Sequence, residues 1–225
     1  MAKQILVVVG LWLAVFASTL GGQRRGTTEL GFRVGAFSNT TNELAHSNDV
    51  LRLKTHKTMF YIEGFLNYYL TDFAALALNL GSYSKGEIRF DIYYNNVYDG
   101  SFVGQASVYP VQLGLKLSPF QKQLPLASQP YVEGGGAIIV GREAATLGTY
   151  NSVFANYTDG TLASETDFNW WMGGGVEIPI ARTIQLDFMV KYINTKFSGD
   201  IVGIKDYSGW QITAGIGYLS FRKKK

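Results

Sequence analysis

The sequence predicts an all-β protein: an eight-stranded antiparallel, transmembrane up-and-down β-barrel behind an N-terminal signal peptide. Three observations predict it. After Thr27, apolar residues recur with a period of two, the spacing of strands, and no window holds 18 consecutive apolar residues, as a membrane helix needs. Glycine and aromatics are abundant (26 Gly, 14 Tyr, 14 Phe), while charged residues make up 16% of the chain, against roughly 25% in soluble domains. The connections between the alternating segments are mostly short at one end and long at the other.

Residues 1–22 precede this pattern. Lys3 supplies a positive start, Ile5 to Ala17 is apolar, and Val15-Phe16-Ala17 fits a small-residue cleavage pattern, with Thr19 to Gly22 offering later sites. The apolar run is about 13 residues where a bilayer needs ~20, so residues 1–22 read as a secretory signal peptide, with an uncleaved anchor as the rival. Arg24-Arg25 follows the run, so it is not a twin-Arg signal. Residues 23–28 read as a short periplasmic lead-in, 29–221 as the barrel and 222–225 as a basic tail.

Eight strands follow. In the first, Leu30, Phe32, Val34 and Ala36 share a face, opposite Glu29, Gly31, Arg33 and Gly35. The second, from about Thr58 to Leu70, sets Ile62, Leu66, Tyr68 and Leu70 against Tyr61, Glu63, Phe65 and Asn67. The third begins near Phe73, with Leu76, Leu78 and Leu80 on one face; the fourth ends VQLGLKL, with Gln112, Gly114 and Lys116 opposite its aliphatics. The fifth, YVEGGGAIIV, and the sixth, NWWMGGGVEI, set Val132, Ile138, Trp170 and Met172 against Glu133, Trp171 and Glu177. In the seventh Ile184 to Tyr192 alternate with Gln185, Asp187 and Lys191. In the eighth Trp210 to Tyr218 alternate with Gln211, Thr213 and Gly215.

Thr71-Asp72 and Pro179 to Arg182 are short connections, and Ser118 to Gln129 is somewhat longer. About Ser38 to Lys57, Ser84 to Ser101, Gly141 to Asp167 and Lys196 to Ser208 read as long polar loops. That asymmetry is the pattern of a bacterial outer-membrane barrel, with both termini at the periplasmic, short-turn end. An eight-stranded barrel is just wide enough for side chains to fill it, so the small and charged face turns inward and the bulky apolar face meets lipid. A lipocalin-like soluble barrel is the inverse reading. It would seal Ile, Leu, Phe and Trp in the lumen and leave the glycine-rich face to water.

With a signal peptide before it, EGFLNYYLTDFAALALNLGSYSKG resembles the small outer-membrane β-barrel domain family, the group that includes the OmpA barrel, OmpX and OmpW-like proteins. PYVEGGGAIIV, WWMGGGVEIPI and WQITAGIGYLSF are similar to its later strands, so the resemblance covers about Thr27 to Phe221. It implies a location in the bacterial outer membrane and a final aromatic residue read by the barrel-insertion machinery. Here Phe221 is followed by Arg222 to Lys225 and falls on the inward parity of the last strand; a bulge near Leu219 would correct it.

The inward charges are the first candidate site. Arg33, Lys116 and Lys191 can be matched by Glu63, Glu133, Glu177 and Asp187, because a charge in a narrow barrel is costly unless paired. The expected result is a salt-bridge plug, with a polar path for small solutes as the rival. Tyr68, Trp170, Tyr192, Trp210 and Tyr218 are placed for aromatic girdles. His46-Ser47-Asn48 is a weaker candidate. Some outer-membrane barrels are lipid A hydrolases using a His and a Ser, but late in the barrel, whereas His46 and His56 both lie in the first long loop.

The stretches DIYYNNVYDGSF and LGTYNSVFANYTDGTLASETD suit adaptable recognition by Tyr, Asn and Ser. They equally suit plain hairpins turning at Asn95-Asn96, Asp99-Gly100 or Asp159-Gly160. No metal constellation and no phosphate loop is visible: there are two His and no Cys, and the GGG runs lie inside strands. A net charge of +3 is too small to argue for nucleic acid.

The expectation is a non-enzymatic outer-membrane barrel without cofactor, serving envelope integrity or surface interaction. Its partners would be membrane lipid and lipopolysaccharide, the insertion machinery, and a surface ligand through the long loops. An OmpW-like conduit for small apolar solutes and a lipid A-modifying enzyme are the alternatives.

Overall fold

The period-two alternation becomes backbone pairing around a closed ring. The computed structural model of the chain describes residues 24–40, 51–54, 58–94, 97–119, 128–150, 157–159, 164–181 and 183–220. The signal peptide, the basic tail, His46, His56, Phe221 and the Asn95-Asn96 turn lie outside the described residues.

Twelve strands are described: β1 (Thr28–Asn39), β2 (Leu51–Lys54), β3 (Thr58–Tyr69), β4 (Ala74–Tyr94), β5 (Val97–Leu117), β6 (Gln129–Tyr150), β7 (Tyr157–Asp159), β8 (Ser164–Pro179), β9 (Ile184–Ile193), β10 (Lys196–Ile201), β11 (Ile204–Asp206) and β12 (Gly209–Ser220). Eight of them, β1, β3, β4, β5, β6, β8, β9 and β12, pair antiparallel with their neighbours and close the barrel, while β2 and β7 extend the sheet along β4 and β6. The final rung joins β1 to β12 from Thr28 opposite Ser220 to Asn39 opposite Gly209, with no break in register, so no bulge near Leu219 corrects the parity of the last strand within the described residues.

The faces divide as the alternation predicts. Arg33 is 0% exposed, while its neighbours Phe32 and Val34 are 54% and 37% exposed to the outside. The same holds on every barrel strand, where Ile62, Leu80, Leu113, Val132, Met172, Phe188 and Ile212 stand outward. A soluble barrel buries its apolar face; this one displays it all round, as only a lipid environment tolerates.

The short turns form as read. Thr71 Oγ1 accepts from the backbone N–H of Ala74 at 3.0 Å, tying the β3–β4 turn, and Ile180 N–H donates to the Ile184 carbonyl across the β8–β9 turn. The long loops are a correction. β4, β5 and β6 run for 21, 21 and 22 residues, about twice the 9–11 that a tilted membrane strand needs. Most of the expected loops 84–101 and 141–167 is therefore strand projecting past the membrane. Tyr94 pairs with Val97, and Asp99-Gly100 lies inside β5 rather than at a turn.

The fourth expected loop is also not a loop. β10 and β11 form a separate two-stranded hairpin. Its Phe197, Ile201, Val202, Ile204 and Tyr207 are buried among inward-facing residues of the barrel, including Phe37, Tyr61, Tyr83, Ile139 and Trp171. The barrel thus has two storeys: charged toward the short turns and mainly apolar toward the mouth, where Lys85 is also buried, its Nζ 5.0 Å from the centre of the Tyr207 ring.

Candidate functional site

The lower storey gathers the charges that the strand parity turned inward. Arg33, from β1, is the hub of one set. Its Nε donates to Asp187 Oδ1 at 2.7 Å, its Nη1 donates to Glu63 Oε1 at 2.8 Å, and Glu133 Oε1 lies 3.6 Å from the same Nη1. The guanidinium lies over the Phe65 ring, 4.1 Å from its centre. Lys191 donates to Glu63 and, at 2.7 Å, to Gln112 Oε1. Tyr61 O–H completes the shell of Glu63 at 2.8 Å, and Tyr131 O–H donates to Asp187 at 2.9 Å.

A second set lies nearer the short turns. Lys116 donates to Glu177 and lies 3.2 Å from Glu29. Asn67 and Tyr69 each donate to Glu29 at 3.0 Å, and Gln185 donates to its other oxygen. Arg24 seals this end. Its Nη1 donates to Glu177 and to Tyr69 Oη, its Nη2 to Gln129, and the backbone N–H groups of Arg24 and Arg25 both reach Asp72 Oδ1.

All seven expected lumen charges therefore face inward, but as two groups rather than one: Arg33, Glu63, Glu133, Asp187 and Lys191 in the first, Lys116 and Glu177 in the second. Glu133 is the least engaged carboxylate. Its Oε1 accepts from Asn79 at 3.5 Å, and its Oε2 has no hydrogen-bond partner among the described residues. The aromatic candidates all stand outward in two tiers. Trp170, Tyr192 and Trp210 form a ladder across β8, β9 and β12 toward the mouth, with ring centres 5.5 and 5.2 Å apart. Tyr68 and Tyr218 lie near the opposite ends of their strands. Trp210 and Tyr218 are eight residues apart on β12, about 20 Å along the barrel axis at the usual rise and tilt, close to the ~25 Å apolar band of such barrels.

The described structure is similar to that of the outer membrane protein OprG from Pseudomonas aeruginosa, with a TM-score of 0.57 over 89% of this chain and 99% of that one, at 12% identity. The chain has the outer-membrane barrel fold. The structure is also similar, at a TM-score of 0.47 and 11% identity over 87% of this chain and 99% of that one, to Ail, the attachment invasion locus protein of Yersinia pestis. No protein-family model and no curated protein matches the sequence.

Three features of this outer-membrane barrel escaped the sequence. Arg24 lies in the stretch that reads as a lead-in, yet it is buried and ion-paired. Glu29 shares the parity of Arg33, a signal that could have added it to the lumen set. The β10–β11 hairpin packs its apolar residues into the mouth-side core, in a segment the sequence reads as loop. The hairpin is bonded to the rim: Ser198 N–H and O–H donate to Asp167 at 2.7 and 2.8 Å, Asn169 Nδ2 donates to the Lys196 carbonyl at 3.1 Å, and Val202 N–H donates to Glu143 at 3.3 Å. Tyr207 O–H donates to the Ile201 carbonyl at 2.6 Å, and burial pushes this phenol well above its usual range, so it remains a donor.

Proposed function

We propose that the protein is a closed, non-enzymatic integral barrel of the bacterial outer membrane that serves envelope integrity or surface interaction. The observation that carries this reading is the filled lumen. Arg33, Lys116, Lys191 and their carboxylate partners are fully buried inside the barrel, with no side-chain exposure. Paired charges that fill a barrel fix strand register and leave no continuous water path. The strands that project beyond the bilayer offer a surface for contact outside the cell, and the lipid-facing band fits membrane lipid and lipopolysaccharide. Insertion would run through the barrel-insertion machinery. Nothing in this reading calls for a cofactor or nucleic acid.

Purified protein in planar bilayers tests the reading. The expected record is a flat baseline without steady openings, and steady openings would overturn it. Lipid A mass spectra from cells with and without the protein should be identical; a mass change would restore the enzyme alternative.

One observation favours the conduit as a second reading. The pairing of β4 and β5 lapses at Gly81-Ser82, opposite Tyr109-Pro110, and resumes in the same register at Tyr83 and Val108. Proline has no N–H to give to the ladder. The lapse adjoins the apolar storey, where Tyr61 and Val108 are buried, and is the kind of weak point a path from lumen to lipid needs.

A further inference from the structure

We infer that the lumen is sealed twice, in series, and that the β10–β11 hairpin is an extracellular stopper acting independently of the ion-paired floor. The inference rests on the closed-barrel reading and divides that closure into two separable parts.

Among the described residues the hairpin forms a two-stranded sheet separate from the barrel ladder, tied to the wall through side chains of Asp167, Asn169 and Glu143. It leaves and rejoins the wall at two short irregular stretches, Asn194-Thr195 and Tyr207-Ser208, which are joined by the Tyr207 N–H donating to the Thr195 carbonyl at 2.8 Å. Removing it would therefore break no rung of the barrel. Its turn also carries strain. Ile201 pairs with Ile204, and the two residues between them, Val202 and Gly203, have φ of 48° and 68°. Positive φ suits Gly203, but for a β-branched residue such as Val202 it is an outlier. Val202 is nonetheless buried, beside Ile201 and Ile204. A strained, apolar turn held inside the mouth is a tip selected for filling space, since an Asn-Gly turn would serve a hairpin lying in water.

The wall is cut to receive this tip. A Cβ on Gly141 would lie 2.1 Å from Ile201 Cδ1 and 2.7 Å from Phe197 Cζ, so a side chain there must push these two hairpin side chains aside. Phe197 and Tyr207 pack edge to face with ring centres 5.8 Å apart. Beneath them lies the apolar storey, with Ala137 and Trp171 on its wall, and beneath that the Arg33 floor. No charged pair of the floor includes a hairpin residue.

The test uses the whole barrel with Lys196–Asp206 replaced by Asn-Gly, reconstituted in lipid vesicles and planar bilayers. The chain has no Cys, so Ala137→Cys gives a single thiol in the apolar storey. A charged, membrane-impermeant methanethiosulfonate reports its accessibility. Excision should raise the labelling rate about tenfold or more, while the bilayer record stays flat because the floor remains. Gly141→Leu in the full-length chain should raise labelling in the same direction by displacing the tip, which covers the case in which the excised barrel does not fold. Unchanged labelling in Gly141→Leu would show that the hairpin is no stopper, and steady conductance on excision would show that the floor is no seal. Steady conductance of the unaltered protein would instead overturn the closed-barrel reading itself.

Discussion

Arg33 stands where Glu63, Glu133 and Asp187 converge, and among the described residues it is the cation ion-paired with Asp187. Replacing it with Met would leave these carboxylates facing one another in a site without solvent. The expected cost is about 3–5 kcal/mol, the range for breaking one side of a buried pair, read from urea titration of the barrel in vesicles. Replacing Lys191 and Glu63 together with Met and Leu should cost less than the sum of the two single changes, because Glu63→Leu alone takes from Lys191 the one carboxylate it is paired with among the described residues, while Lys191→Met alone leaves Glu63 to Arg33. A purely additive result would show that the pair is not coupled. The parity of the strands was enough to place these residues in the lumen, because alternation is a one-dimensional signal. Which carboxylate meets which cation was not legible, since it depends on the stagger between strands. Arg24 was beyond reach for a further reason. It precedes β1, so no period applies to it, and its partners Tyr69, Gln129 and Glu177 come from the ends of three different strands.

At the scale of the element, β8 shows most directly how alternation builds the barrel. Trp170 and Trp171 are adjacent, yet Trp170 is 48% exposed on the outside while Trp171 is buried in the lumen and donates its Nε1–H to the Gly136 carbonyl at 3.1 Å. In variants retaining one of Trp170, Trp171 and Trp210, with Phe at the others, brominated lipids should quench Trp170 and Trp210 strongly and leave Trp171 nearly unaffected. Strong quenching of Trp171 would reverse the assigned faces. The hairpin is the element that reading by loops missed, although its sequence carried the signal. Phe197 and Ile201 alternate with Lys196, Ser198 and Asp200 on β10, Ile204 follows Val202-Gly203, and Tyr207 closes the return arm. The segment reads as a polar loop because each arm is too short for alternation to stand out. Its apolar residues are stabilised by the barrel wall, a tertiary contact that no local window contains. The projecting parts of β4, β5 and β6 read as loops for a related reason. Past the bilayer the strands lose the requirement for an apolar outer face, so the alternation fades while the pairing continues.

For the whole molecule, a closed ring of eight strands with an apolar exterior should resist detergent until heated. The expected behaviour is a faster-migrating band in unheated samples of outer-membrane fractions and a shift on boiling; recovery in the soluble periplasm would contradict the lipid-facing exterior. Two storeys make the molecule's cohesion uneven. The lower one is held by directional charge pairs that fix register, the upper by apolar packing that tolerates change of shape but not of volume.

The seam between β1 and β12 has a consequence for the order of the chain. Thr28 lies directly opposite Ser220, and the pairing runs unbroken from there to Asn39 and Gly209. The two ends of the barrel sequence therefore stand about 5 Å apart, across a junction as continuously paired as any in the wall. The ring has no structural beginning. A circular permutant that joins residue 220 to residue 28 through a few glycines and serines, and opens between Tyr94 and Val97, keeps every rung of the ladder. It should refold from urea into vesicles with the heat-dependent mobility of the parent. What distinguishes β1 as the first strand is the direction of synthesis and export, and not its place in the wall.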